Sequence, residues 1–113
     1  MKRGNHIGEF EELVLMAVAV LGLDSYGLGV RDFLLEHTGR KTALGAIHAT
    51  LYRLQDKGLL DSELEGASAH RGGRRKRVFT VTNAGRQAVH TARQTRESIW
   101  SMVPSGTMSV VAQ

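Results

Sequence analysis

Five cations within seven residues, Arg71, Arg74, Arg75, Lys76 and Arg77, constrain this chain more than any other feature. They cannot be packed together in a core, so they must face solvent or a polyanion. Leu59–Leu64 before them and Val78–Thr82 after them read as short strands. Gly72 and Gly73 supply the backbone freedom that a tight turn requires. The run from His70 to Arg77 therefore occupies the tip and returning edge of a β-hairpin.

The charge around that hairpin is sorted. The formal net charge is only +4, yet no acidic residue lies between Glu65 and Glu97. That interval holds eight cations, Arg71, Arg74, Arg75, Lys76, Arg77, Arg86, Arg93 and Arg96, which leaves seven cations against eleven acids elsewhere. One surface attracts phosphate while the rest repels it, an arrangement that orients a protein on nucleic acid as well as binding it. A hairpin kept soluble by its charge is the plainer alternative, but it does not account for the acid-free surroundings.

At 113 residues the chain has room for one domain with a small core, and 42% hydrophobic against 23% charged residues marks it as globular. It has no cysteine, which excludes disulfides and thiolate metal sites and fits a reducing compartment. The longest apolar candidate, Leu13–Leu23, is too short to span a bilayer and follows three glutamates without a signal-peptide pattern. The expected location is the cytoplasm, with no membrane partner.

A first helix is expected from Glu9 to about Leu21. Glu9, Glu11 and Glu12 crowd its first turn, where the helix dipole favours negative charge. Phe10, Leu13, Val14, Ala17, Val20 and Leu21 form an apolar stripe that Leu15, Met16 and Val18 widen to nearly the whole circumference. A helix of this kind calls for cover on more than one side, which points to a partner subunit. Gly22 closes it, and Asp24 or Ser25 is placed to cap a second helix at about Tyr26–Thr38. Gly27 and Gly29 are costly in that helix, so they predict close approach of a neighbouring backbone, protein or phosphate.

A third helix is expected from Leu44 to about Lys57, capped by Thr42 and stopped by Gly58. Ile47, Leu51 and Leu54 make its buried row. The opposite face holds Gly45, Ala46, Ala49, Tyr52 and Arg53, whereas an ordinary solvent face is rich in Glu and Lys. Small residues let a helix sit deep in a major groove, where His48, Thr50, Tyr52 and Arg53 would reach base edges or phosphates. Tyr26, Lys41 and Thr42 complete this set beside the cations of the hairpin.

A last helix follows Thr82 and runs from Asn83 to at least Met102. Ala88, Ala92, Thr95, Ile99 and Met102 step along it at the spacing of a coiled-coil seam, with Trp100 beside them. Together with Phe10 and Leu13 of the first helix they form the expected dimer interface. A two-fold axis that pairs two chains would set the third helices about one DNA turn apart, roughly 34 Å. After Pro104 there is no periodicity, and a loose tail is expected.

The reading is a mainly α fold with a small β-hairpin wing: a winged helix-turn-helix over residues 8–82, a dimerisation helix over 83–103 and a flexible tail over 104–113. The chain resembles the PadR family of bacterial winged-helix transcriptional regulators. The resemblance rests on Gly8-Glu9-Phe10-Glu11 through Leu15, Asp24-Ser25-Tyr26-Gly27, and Leu44-Gly45-Ala46-Ile47 through Leu51 with Arg53-Leu54. It continues through Lys57-Gly58-Leu59, Gly72-Gly73-Arg74-Arg75-Lys76, and Val81-Thr82 followed by Gly85. The family usually has tyrosine where this chain has His48, and the short last helix resembles its compact members. The resemblance implies a homodimeric repressor on a palindromic operator, with the third helix in the major groove and the wing on backbone or minor groove. It also implies a small flat aromatic effector at the dimer interface, for which Trp100 would be the stacking plate.

An enzyme would need a constellation of reactive groups. His6, His37, His48, His70 and His90 are scattered without metal-ligand spacing, and no glycine-rich phosphate loop follows a strand. No catalytic residue, metal site or cofactor is therefore expected. The rival class is a winged-helix module for protein interaction or RNA binding, whose basic wing takes an acidic partner. Competition by duplex DNA at physiological salt separates the two.

Overall fold

The computed structural model describes residues 6–65 and 75–110. Gly8 caps a first helix, α1 (Glu9–Leu21), and its N–H donates to Glu11 Oε1 at 3.1 Å, one half of a capping box. A single 3-10 turn (Gly22–Asp24) leads to α2 (Gly27–Thr38), which ends on Gly39 in the left-handed region. α3 (Leu44–Asp56) closes in a Schellman motif, in which the N–H groups of Leu59 and Gly58 donate to the carbonyls of Leu54 and Gln55, both at 2.9 Å. β1 (Leu60–Leu64) and β2 (Arg77–Val81) pair antiparallel, with Leu60 opposite Val81 and Leu64 opposite Arg77. α4 (Asn83–Met102) is capped by Thr82, whose Oγ1 accepts the Gly85 N–H at 3.0 Å. The architecture is thus mainly helical with one hairpin, as the winged helix-turn-helix reading requires.

Two expected caps are corrected. Ser25 does not cap α2; Tyr26 holds that position without a side-chain bond. Ser25 is fully buried and must satisfy its polar atoms, so its hydroxyl serves the carbonyls of Gly22 and Phe79 while its own carbonyl accepts the Phe79 N–H at 2.9 Å. It acts as a short third rung beside β2. Thr42 does not cap α3 either; Ala43 does so with no side-chain bond, because the helix begins one residue later than a Thr42 cap would need.

The core lies where the helices meet the hairpin. Val14, Leu15 and Val18 of α1, Val30 and Leu34 of α2, and Ile47, Leu51 and Leu54 of α3 close over Leu59, Leu60 and Phe79. The expectation that α1 needs a partner to cover it is corrected here. α2, α3, β2 and α4 all pack on it, and Val14, Leu15, Ala17 and Val18 are buried within one chain. A four-sided nest costs less chain than the all-round apolar pattern suggested. Ala19 and Val20 stay exposed, with Phe10, Leu13, Met16 and Leu21 half-buried.

α4 is different. Its first half packs on α1 and β2, with Gly85 and Ala88 buried. From Arg93 to Met102 every residue is exposed. Ala88 therefore belongs to this chain's own core, not to a seam with a partner. Beyond the helix, the N–H of Thr107 donates to the Pro104 carbonyl at 3.1 Å and forms a turn. No described helix is long and apolar enough to cross a membrane.

Candidate nucleic-acid interface

α3 presents two unlike faces. Ile47, Leu51 and Leu54 anchor it, and Gly45, Ala46, His48, Ala49, Tyr52 and Arg53 lie exposed on the other side. Thr50 is a correction: it is buried, and its hydroxyl donates to the Ala46 carbonyl at 2.9 Å, so it cannot reach a ligand. Lys41 lies exposed and Thr42 half-buried on the segment that leads into the helix.

Glycine in α2 lets α3 come close. A Cβ on Gly27 would sit 2.2 Å from His48 Nε2, so the imidazole lies directly against the first turn of α2. Gly29 fulfils the expected close approach of a backbone, since a Cβ there would sit 2.4 Å from the Asp24 carbonyl oxygen. Next to Gly27, Tyr26 carries the Lys76 ammonium 4.2 Å from its ring centroid, a cation–π contact that fastens the start of β2 to the head of α2. Tyr26, His48 and Lys76 thus form one patch, although 50 positions separate the outer two in sequence. The first-turn amides of α2 beside it have no side-chain cap.

The hairpin meets α3 on its other side. Tyr52 sets its ring edge-on to Phe79 with centroids 5.8 Å apart and stays 44% exposed. Arg77 Nη1 donates to Ser62 Oγ at 2.9 Å, and that hydroxyl donates to Gln55 of α3. Arg77 therefore ties the hairpin to the helix, while Arg75 and Lys76 are exposed. Arg71 and Arg74, with the turn expected at His70–Gly73, lie outside the described residues.

Sequence reasoning took the acids at the head of α1 as dipole partners and missed their larger role. Glu9 pairs with Arg40 at 3.2 Å. Glu11 is buried and accepts from Arg53 Nε at 3.0 Å, from Lys57 Nζ at 3.0 Å and from the Gly8 N–H. Burial alone would raise its pKa, but the hydrogen bonds from Lys57, Gly8 and Arg53 prevail and hold it below the usual carboxylate range. Glu12, also buried, accepts from Arg96 of α4. The one signal available in the sequence was Arg53 and Lys57 standing four apart on one helix flank, where both can reach a single anion.

Of the expected dimer residues, Ile99, Trp100 and Met102 are 58%, 60% and 72% exposed. Thr95 and half-buried Ala92 line a groove of about 280 Å³ between α4 and the head of α1, shared with Ile7, Glu12 and Arg96. Phe10 is half-buried under the Arg40 guanidinium, 5.1 Å from its ring centroid. Among the described residues no group of three or more His, Cys, Asp or Glu could hold a metal ion.

The sequence profile of the transcriptional regulator PadR-like family matches residues 15–91, which takes in all of α2, α3 and the hairpin. The chain belongs to the PadR-like family of transcriptional regulators. Solved structures agree on the fold of this PadR-like chain. A PadR family transcription regulator from hypervirulent Clostridium difficile R20291 superposes with a TM-score of 0.70 at 20% identity, over 84% of this chain and 94% of that one. A PadR-like transcriptional regulator from Bacillus cereus gives 0.69 at 19% identity, over 89% and 93%. A putative transcriptional regulator from Thermoplasma acidophilum gives 0.57 at 22% identity, over 84% and 94%. No curated protein matches the chain.

Proposed function

We propose that this PadR-like protein is a homodimeric, sequence-specific repressor that binds palindromic duplex DNA in the cytoplasm and catalyses no reaction. Residues 8–82 bind the DNA and 83–103 pair the protomers. The observation that carries this reading is the outer face of α3. Gly45 and Ala49 leave nothing to hold groove walls away, while the exposed His48 and Tyr52 beside them would reach base edges. The Tyr26–Lys76 pair and the uncapped amides of α2 flank that face and suit phosphates. Arg75, and Arg71 and Arg74 with it, would follow the backbone from the wing. Pairing through Ile99, Trp100 and Met102 would cover the exposed half of α4, and a flat aromatic effector would stack on Trp100 at that junction.

Selection of bound duplexes from a random pool, followed by anisotropy at physiological salt, tests the reading. The expected result is a palindrome held at least ~10³-fold more tightly than random duplex, by two protomers. Preference for single-stranded RNA or for an acidic protein over any duplex would refute it in favour of the interaction module.

A further inference from the structure

Glu11 sits behind the flank of α3 with both of that helix's C-terminal cations in hand. Its carboxylate side chain is only 11% exposed, while Arg53 beside it is 51% exposed and Lys57 26%. Lys57 Nζ lies 3.0 Å from both carboxylate oxygens and 3.4 Å from the His6 carbonyl. Arg53 gives Nε to Glu11 at 3.0 Å and a terminal nitrogen to Thr50 Oγ1 at 3.3 Å. All three donors of the Lys57 ammonium and two of the five on the Arg53 guanidinium are thus engaged within the protein. A buried carboxylate that accepts a backbone N–H and two cations is fixed in place, because moving it would strand charge in a poorly solvated site.

We propose that Glu11 is a specificity-determining residue: it withholds Arg53 and Lys57 from phosphate, so that α3 binds DNA through its neutral groups and not through charge. This rests on the DNA-binding reading of the same helix. Phosphate contacts carry no sequence information, so two free cations on the recognition helix would strengthen every duplex alike and dilute discrimination. Holding them back lowers affinity for random DNA while leaving the base contacts of His48 and Tyr52 untouched. Glu11 acts through Arg53 and Lys57 and does not itself touch DNA.

Glu11→Gln keeps the shape and removes the charge. The salt dependence of binding to a random 20-base-pair duplex and to the selected palindrome reads the effect. Each newly engaged phosphate steepens log Kd against log salt by about 0.9, so two cations add up to about 1.8. Between 50 and 200 mM salt that is a further loss of up to about twelvefold for the random duplex. Random-duplex affinity at low salt should rise and the palindrome-to-random ratio should fall. Adding Arg53→Met and Lys57→Met to Glu11→Gln should return the slope to that of the wild type. Arg53→Met alone, which leaves Lys57 on Glu11, should leave the slope unchanged, and this arm decides the matter if Glu11→Gln does not fold. A folded Glu11→Gln protein with a wild-type or shallower slope would overturn the inference, as would a slope lowered by Arg53→Met alone. A wild-type protein that binds no duplex would refute the DNA-binding reading itself, whereas duplex binding with an indifferent Glu11 refutes the restraint only.

Discussion

Alanine at Gly27 and alanine at Gly29 should separate a neighbour that can move from one that cannot. Both glycines lie in the first turn of α2. The Cβ of Gly29→Ala would meet the Asp24 carbonyl oxygen at 2.4 Å, and that carbonyl is pinned because it accepts the Tyr26 N–H at 3.0 Å. Relief requires a backbone shift, and overpacking of this kind costs about 1–3 kcal/mol. The contact is roughly an ångström inside ordinary distance, which puts the cost in the upper half of that range; helix propensity returns about 1 kcal/mol. The net loss of about 1–2 kcal/mol should lower Tm by roughly 4–8 °C in a domain of this size. Gly27→Ala looks worse on distance alone, at 2.2 Å, but its neighbour is the tip of exposed His48, which can swing aside. Its Tm should stay within ~2 °C of wild type, which is about half a kcal/mol. The effect should appear on DNA instead, as a loss of palindrome affinity equal to that of His48→Ala. In a His48→Ala background, Gly27→Ala should then have no further effect on binding. Melting followed by circular dichroism at one fixed protein concentration, with anisotropy on the same samples, measures both quantities. If Gly27→Ala melts as early as Gly29→Ala, His48 is not the yielding neighbour and the reasoning fails.

Arg75→Ala with Lys76→Ala should weaken binding to all duplexes alike and make the salt slope shallower by about 0.9 per lost contact; an unchanged slope would remove the wing from the interface. Ile99→Asp or Ala92→Asp should give monomers in sedimentation that lose the palindrome yet keep the wild-type far-ultraviolet spectrum. A wild-type protein that sediments as a monomer at micromolar concentration would contradict that prediction. Acid stability should report Glu11, whose folded pKa lies below the ordinary value of 4.5. Its contribution is present in full above that value and is lost as pH falls through the lower folded one. Denaturant melts from pH 6 downward should therefore decline less steeply for Glu11→Gln, and parallel curves would show that the buried carboxylate is not the titrating group.

The four helices were legible because each carries its own local signals: three acids in the first turn of α1, Gly39 after α2, Gly58 after α3 and Thr82 before α4. The hairpin was legible from two short strand-like segments on either side of a run that no core could accept. What escaped was whatever depends on a distant partner. Ser25 reads locally as a cap, yet its hydroxyl answers to Phe79, 54 positions on. Glu11 and Glu12 read as dipole partners, yet their cations arrive from 42, 46 and 84 positions away. The cover of α1 escaped for the same reason, since an apolar circumference says how much must be buried but not how many neighbours the chain can bring. The candidate site divides along the same line. His48, Ala49 and Tyr52 were visible from helical spacing, whereas the Tyr26–Lys76 contact and the capture of Arg53 needed the fold.

Charge in this protein is separated by place, and on the proposed duplex that separation would make affinity and discrimination independently adjustable. The acids of α1 take Arg40, Arg53 and Lys57 from around α3, and Arg96 from α4. Among the described residues, Lys41, Arg75, Lys76, Arg77 and Arg86 have no carboxylate partner; Lys41 leads into α3, and Lys76 sits on Tyr26 beside it. A duplex would then be drawn in by the edges and read by a centre of small and neutral polar side chains. Wing substitutions should move the salt slope while leaving the palindrome-to-random ratio nearly unchanged. A substitution at Tyr52 should do the reverse, because a phenol's contact with a base edge releases no counterion. Glu11 would be the point at which the two quantities are coupled, since it holds the two cations at the end of the central helix.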